Sequence, residues 1–143
     1  MGTIGQDRRL FDLDSARRTL PLVSRVLSDI VRAHREIADL HVRASDLLSA
    51  GDRSGAEALQ DRMQELASEQ SDYVAELDRI GCELKDPIVG LVDFPTRLGG
   101  RIVYLCYKLG EETIDHWHEI HAGFAGRHPT EGLEFSSEPA ADD

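Results

Sequence analysis

The sequence has no long apolar run and no secretion signal. No segment approaches the roughly 18 apolar residues of a membrane span. The amino-terminal stretch MGTIGQDRRLFDL also lacks the apolar centre of a signal peptide. These absences predict a cytoplasmic protein without a membrane partner. The 143 residues, 41% of them hydrophobic, suffice for one domain with its own core.

Cysteine is equally scarce, since only Cys82 and Cys106 occur. The two residues form no CxxC motif, and both have apolar neighbours in the sequence. Two reduced and mostly buried thiols are therefore predicted.

Basic residues are few relative to acidic ones, with 16 Lys and Arg against 27 Asp and Glu and a net charge of -11. Such a chain repels phosphate backbones, so no nucleic-acid partner is expected. The stretch after Pro129 has little apolar content and contains acidic but no basic residues. The sequence therefore predicts an acidic disordered tail over residues 130–143, and a flexible amino terminus over residues 1–10.

Two heptad patterns predict helices that pack along each other. The first comprises Ala16, Leu20, Val23, Leu27, Ile30, His34, Ile37, His41, Ala44 and Leu48. The second comprises Leu59, Met63, Leu66, Gln70, Tyr73, Leu77 and Ile80. Gly51 separates them as a helix stop, and Ser54 with Glu57 forms a capping box. An antiparallel helical hairpin over residues 13–80 follows from this pattern.

Apolar side chains outside the two seams predict assembly. One hairpin cannot bury them together with its own seam, so a homo-oligomer is expected. They are Val26, Val31, Leu40 and Leu47.

The spacing changes in PIVGLVDFPTRLGGRIVYLCYKLG, where β-branched and aromatic residues flank Gly99-Gly100. This composition predicts a β-hairpin over residues 88–109, with Val89–Phe94 paired to Arg101–Leu109. A short helix over residues 111–122 is predicted to follow. The predicted fold is thus α+β and mostly helical, a single domain over residues 11–129 that ends in this short helix.

The stretch GEETIDHWHEIHAGFAGRHP holds four of the six histidines. On a helix, Glu111, Asp115 and His118 share one side, with His121 at its edge. Carboxylates and imidazoles of this kind bind iron, zinc or manganese, so these four are candidate metal ligands. The alternative is a His118 hydrogen-bonded to Asp115 beside a core Trp117. The HExxH motif of zinc proteases is absent.

Arg127 follows two glycines that let the chain turn back after the helix. Its guanidinium can reach a carboxylate, either Asp93 or Glu111. One interpretation is an Arg127–Asp93 bridge that locks the loop. The other is a clamp in which Arg127 and His118 bind a small carboxylate or phosphate.

Three blocks, GLVDFP, YLCYKLGE and WHE with the following GFAGR, carry a family resemblance. With FDLDSARRTLPLV at the front, residues 11–129 resemble the uncharacterised bacterial family known as domain of unknown function 2203. The resemblance implies a fold and pocket candidates but no activity. The residues that match its pattern are Asp93, Glu111, Trp117, His118 and Arg127. Those that depart from it are Tyr107, His121 and His128, where Trp, Asp and Gln are expected.

Together these observations give Asp93, Tyr107, Trp117 and Arg127 as ligand-binding candidates. No set of nucleophile, base and orienting group is recognisable. The preferred hypothesis is a small binding or assembly module with a polar pocket near the carboxy-terminal helix. The alternative is a metal-dependent enzyme that uses Glu111, Asp115 and His118. The sequence does not decide between an enzyme and a binding protein.

Overall fold

The computed structural model describes residues 9–139 and begins with three helices, α1 (Leu13–Arg18), α2 (Leu20–Ser49) and α3 (Arg53–Ile80). Asp12 starts α1 because its carboxylate accepts a hydrogen bond from the Ser15 amide. Gly81 ends α3 in the left-handed region, with φ 110°. A three-residue connection joins α2 to α3, and the two helices pack along each other. None of the helices within residues 9–139 has both the length and the apolar character of a membrane span.

Six antiparallel strands follow the helices in one sheet. The strands pair in the order β1-β2-β3-β4-β5, and β6 pairs with β2. Their bounds are β1 Glu83–Asp86, β2 Leu91–Leu98, β3 Arg101–Lys108, β4 His116–His118, β5 His128–Pro129 and β6 Phe135–Ser136.

The predicted fold class is wrong in its carboxy-terminal part, because the predicted hairpin is the β2–β3 pair of a six-stranded sheet and residues 111–122 do not form a helix. Residues 111–122 form turns and strand β4, and Leu105 of β3 pairs with Trp117. Phe124–Gly126 adds one turn of 3-10 helix. The weak local helix preference of this segment is overridden by pairing with β3 and by burial of Ile114 and Trp117.

The sheet has an apolar face and a polar face. The apolar face packs on α1 and α2, and together they form one core cluster. The cluster includes Phe11, Leu27, Val92, Phe94, Val103, Leu105, Tyr107 and Trp117. Alternation along the strands places the intervening side chains on the opposite face. That polar face includes Asp93, Tyr104, Cys106, Lys108, His116 and His118.

A single chain buries three of the four side chains that the sequence analysis assigns to an oligomer interface. Val26, Val31 and Leu40 are buried within one chain. Val26 belongs to the same core cluster as the strands, and Val31 lies against Gly90. These three residues therefore do not need a second subunit for burial, and the homo-oligomer stays a prediction.

Residues 130–139 differ from the predicted disordered tail. Phe135 and Ser136 form β6, and the buried Phe135 ring lies 6.3 Å from the Trp117 ring, measured between centroids. Thr130 is also buried. At the other end, Arg9 Nη1 donates to the Ile80 carbonyl at 3.1 Å. The predictions for residues 1–8 and 140–143 fall outside the described residues.

We expect Phe135→Ala to lower the free energy of unfolding by about 3 kcal/mol, because it removes a buried aromatic ring from the core. Leu133→Ala is the matched control, since Leu133 is 44% exposed two residues away. Urea denaturation of both variants measures the difference. Equal effects of the two substitutions would contradict the docking of this segment.

Candidate functional site

The polar face of the sheet brings three potential metal ligands together. Asp93 on β2 pairs with Cys106 on β3, and Tyr104 on β3 pairs with His118 on β4. Residues on neighbouring strands with the same facing direction project from one surface. One ligating atom from each of Asp93, Cys106 and His118 lies within 4.8 Å of the other two, and all three residues are buried.

Asp93 and His118 form the charged part of this cluster. His118 Nε2 is 3.1 Å from each Asp93 carboxylate oxygen. The side chain of His118 is only 3% exposed, and that of Asp93 is 4% exposed. His118 Nδ1 is 2.7 Å from the Glu119 carbonyl oxygen, which can only accept a hydrogen bond. Nδ1 therefore carries a proton. A second proton on Nε2 lets the imidazolium donate to Asp93 as well.

The pKa of His118 reflects two opposing effects. Burial disfavours the charged ring, but the hydrogen bonds to Asp93 and the Glu119 carbonyl and the charge of Asp93 outweigh it. The pKa of His118 is consequently raised above its usual value. This shift favours the imidazolium form of His118.

The Cys106 side chain is a neutral thiol. Burial, with a further contribution from the charge of Asp93, raises the pKa of Cys106 to about 12. Both ring nitrogens of His118 have other partners, so His118 is not placed to deprotonate this thiol. The arrangement does not provide an activated cysteine nucleophile.

A pocket of about 140 Å³ opens over the three side chains. Its wall includes Ile120, Gly123 and Phe124 of the segment 119–127, hereafter the cover segment. Gly123 has φ 68°, a backbone conformation that favours glycine, and it lets the segment turn here. The full lining is Lys85, Leu91, Asp93, Cys106, His118, Ile120, Gly123 and Phe124. Two larger depressions elsewhere have no buried charged side chain in their walls.

The four predicted metal ligands lie in different surroundings, because the helix that would group them is absent. Glu111 binds Arg127 Nη2 at 2.7 Å and accepts the Lys108 amide at 2.8 Å. Asp115 is more than half exposed and pairs with Arg17 at 3.3 Å. His121 is exposed on a turn. His118 alone belongs to the buried cluster.

Of the four predicted ligand-binding residues, Asp93 alone lines the pocket. Tyr107 and Trp117 belong to the core cluster on the apolar face. The Tyr107 hydroxyl donates to the Glu111 carbonyl at 3.1 Å.

Arg127 pairs with Glu111, its other predicted partner, and not with Asp93. Its Nη2 also donates to His116 Nδ1 at 2.9 Å. The guanidinium lies 4.5 Å from the centroid of the Phe124 ring. Arg127 therefore ties the cover segment to Glu111, which follows β3, and to His116 on β4, and it does not line the pocket.

Cys106 is the site residue that the sequence analysis does not propose. Two signals in the sequence point to it. Asp93 stands between Val92 and Phe94 in the otherwise apolar run 87–95, and a buried carboxylate requires a partner. Alternation along the next strand places Cys106 and Lys108 on one face. What the sequence does not supply is the pairing register that sets Cys106 opposite Asp93.

Comparison with known proteins identifies a family but no individual relative. Neither the curated proteins nor the solved structures contain a match to the chain. The family described as "Uncharacterized conserved protein (DUF2203)" matches residues 9–130, which include every strand through β5 and the whole candidate site. This match confirms the resemblance found in the sequence. The chain belongs to the DUF2203 family.

Proposed function

We propose that the protein binds a divalent first-row metal ion through Asp93, Cys106 and His118. The observation that carries the proposal is the convergence of a carboxylate oxygen, a sulfur and an imidazole nitrogen within 4.8 Å on a buried pocket floor. Tetrahedral zinc sites with bonds of about 2.0 to 2.3 Å hold ligand atoms roughly 3.3 to 3.8 Å apart. The separation of 3.1 Å between His118 Nε2 and Asp93 Oδ1 is close to that spacing, and the Cys106 sulfur lies within 4.8 Å of the other two ligand atoms.

The hydrogen bond of His118 Nδ1 also supports a metal site at this cluster. Histidines that bind metals usually donate their other N–H to a carbonyl or carboxylate, which fixes the ring. The Nδ1 proton of His118 is held by the Glu119 carbonyl, and Nε2 faces Asp93. The ring is thus already oriented for binding through Nε2.

Charge balance also favours a dication. An aspartate, an imidazolium and a neutral thiol together carry no net charge. A divalent ion displaces the Nε2 proton of His118 and the thiol proton of Cys106. The loaded cluster is again neutral, which matters because an uncompensated buried charge is costly.

The donor set narrows the choice of metal. A thiolate beside an imidazole suits zinc or ferrous iron better than manganese, which prefers oxygen ligands. We propose zinc. Three protein ligands leave one coordination position towards the pocket, as in catalytic zinc sites. That open position favours, as a second candidate function, a metal-dependent enzyme at the same site. The proposed location is the cytoplasm, consistent with two free cysteines.

The two buried cysteines provide a matched test by elemental analysis of protein purified without a polyhistidine tag. Wild type and Cys82→Ala should retain stoichiometric zinc after dialysis, because Cys82 lies outside the cluster. Cys106→Ala should retain little zinc, because one of three ligands is lost. The proposal fails if wild type exposed to zinc retains no metal, or if both variants retain the same amount.

A further inference from the structure

We propose that the pocket over the Asp93–Cys106–His118 cluster takes a short-chain carboxylate, with its carboxylate towards the cluster and its tail along the apolar wall. This inference rests on the proposed zinc site. It names the ligand that fills the open coordination position. The argument uses the size, charge and polarity of the pocket lining.

The size of the pocket limits the ligand to a small molecule. Its volume is about 140 Å³. An apolar cavity of about 150 Å³ holds a molecule the size of benzene, which has about six non-hydrogen atoms. Butyrate has the same number of non-hydrogen atoms and fits this limit.

The charge of the lining favours an anion. With zinc bound, the three ligands and the ion are together neutral. The remaining charged residue of the lining is Lys85 on β1. Its side chain is 41% exposed, with Nζ 2.8 Å from Glu83 and 4.8 Å from the centroid of the Tyr104 ring. An ammonium carries three N–H donors, so Lys85 can donate to a ligand carboxylate as well as to Glu83, whereas it offers an amine no acceptor.

The remaining walls favour an apolar tail. Leu91, Ile120 and Phe124 line the pocket, and the last two are 46% and 42% exposed although they are large hydrophobic residues. A hydrocarbon chain that covers them gains from removal of apolar surface from water. Phosphate lacks such a chain, and its outward oxygens would face these walls without hydrogen-bond donors.

Titration of butyrate into zinc-loaded protein tests the inference, with zinc content measured first on the same sample. We expect butyrate to bind with a dissociation constant near or below about 1 mM, as its size allows. Acetate, with a shorter tail, should bind less tightly. Butylamine, which has the same number of carbon atoms and the opposite charge, should not bind detectably.

Lys85→Met and Arg53→Met form a pair of variants that each remove one exposed positive charge. Arg53 is the first residue of α3 and lies outside the pocket lining. Lys85→Met should weaken butyrate binding about tenfold, and Arg53→Met should change it less than about threefold, because charge effects fall with distance. Zinc content should be unchanged in both variants.

The outcomes separate this inference from the zinc site. Zinc-loaded protein that does not bind butyrate overturns the carboxylate proposal and leaves the zinc site standing. Equal binding of butyrate and butylamine, or equal binding by zinc-free Cys106→Ala, also overturns it. Protein that takes up no zinc overturns both proposals.

Discussion

Zinc should stabilise the protein against unfolding by about 4 kcal/mol when free zinc is about a thousand times its dissociation constant. The reason is linkage, because Asp93, Cys106 and His118 come from three different strands and converge only in the folded chain. Urea denaturation with zinc and with a chelator measures the difference.

The controls for this stabilisation are a variant and a second ion. Cys106→Ala should lose most of the zinc effect, because it removes a proposed ligand. Cys82→Ala should retain the effect, and it is a matched control because each variant removes one buried thiol. Magnesium should have little effect, because it prefers an all-oxygen octahedral shell. Equal stabilisation of both variants by zinc would show that the ion binds elsewhere.

Without zinc, His118→Ala should lower the free energy of unfolding by about 3 to 5 kcal/mol, the usual cost of removing one partner of a buried ion pair. The substitution leaves the Asp93 carboxylate buried without its imidazolium. His121→Ala is the control, because exposed side chains contribute within about 0.5 kcal/mol. Urea denaturation in the presence of a chelator measures both. A loss below about 1 kcal/mol for His118→Ala would contradict the buried charged pair.

The same pair predicts a pH dependence with a definite sign. The pKa of His118 is raised in the folded protein, so the pair contributes fully below the unfolded pKa of about 6.5. That contribution is lost as the pH rises through the raised folded pKa. The stability difference between wild type and His118→Ala in chelator should therefore shrink from slightly acidic to alkaline pH. A constant difference would mean that the pKa of His118 is the same in the folded and unfolded states.

The helical part of the fold could be predicted because its signals are local. The heptad spacing and the Gly51 stop indicate two long helices, and the structure has α2 and α3 on either side of that glycine. Gly99 and Gly100 likewise separate two β-rich runs, and β2 and β3 lie on either side of them. Each of these elements depends on residues that are neighbours in the sequence.

The segment around Trp117 could not be predicted in this way. Read alone, its spacing of Glu111, Asp115 and His118 suits a helix with the polar residues on one side. The neighbouring strand β3 instead offers a row of backbone donors and acceptors, and Trp117 gains burial by pairing opposite Leu105. Phe135 docks on β2 for the same kind of reason.

The candidate site shows the same division between local and tertiary information. The sequence by itself determined that Asp93 stands in an apolar strand, that Cys106 and Lys108 share a face, and that His118 lies in a histidine-rich segment. Only the tertiary structure decided that Asp93, Cys106 and His118 meet. It also decided that Glu111 pairs with Arg127, and Asp115 with Arg17. Alternation within a strand is a local property of the backbone. The register between strands is set by contacts between distant residues, and here it places three ligating atoms around one point.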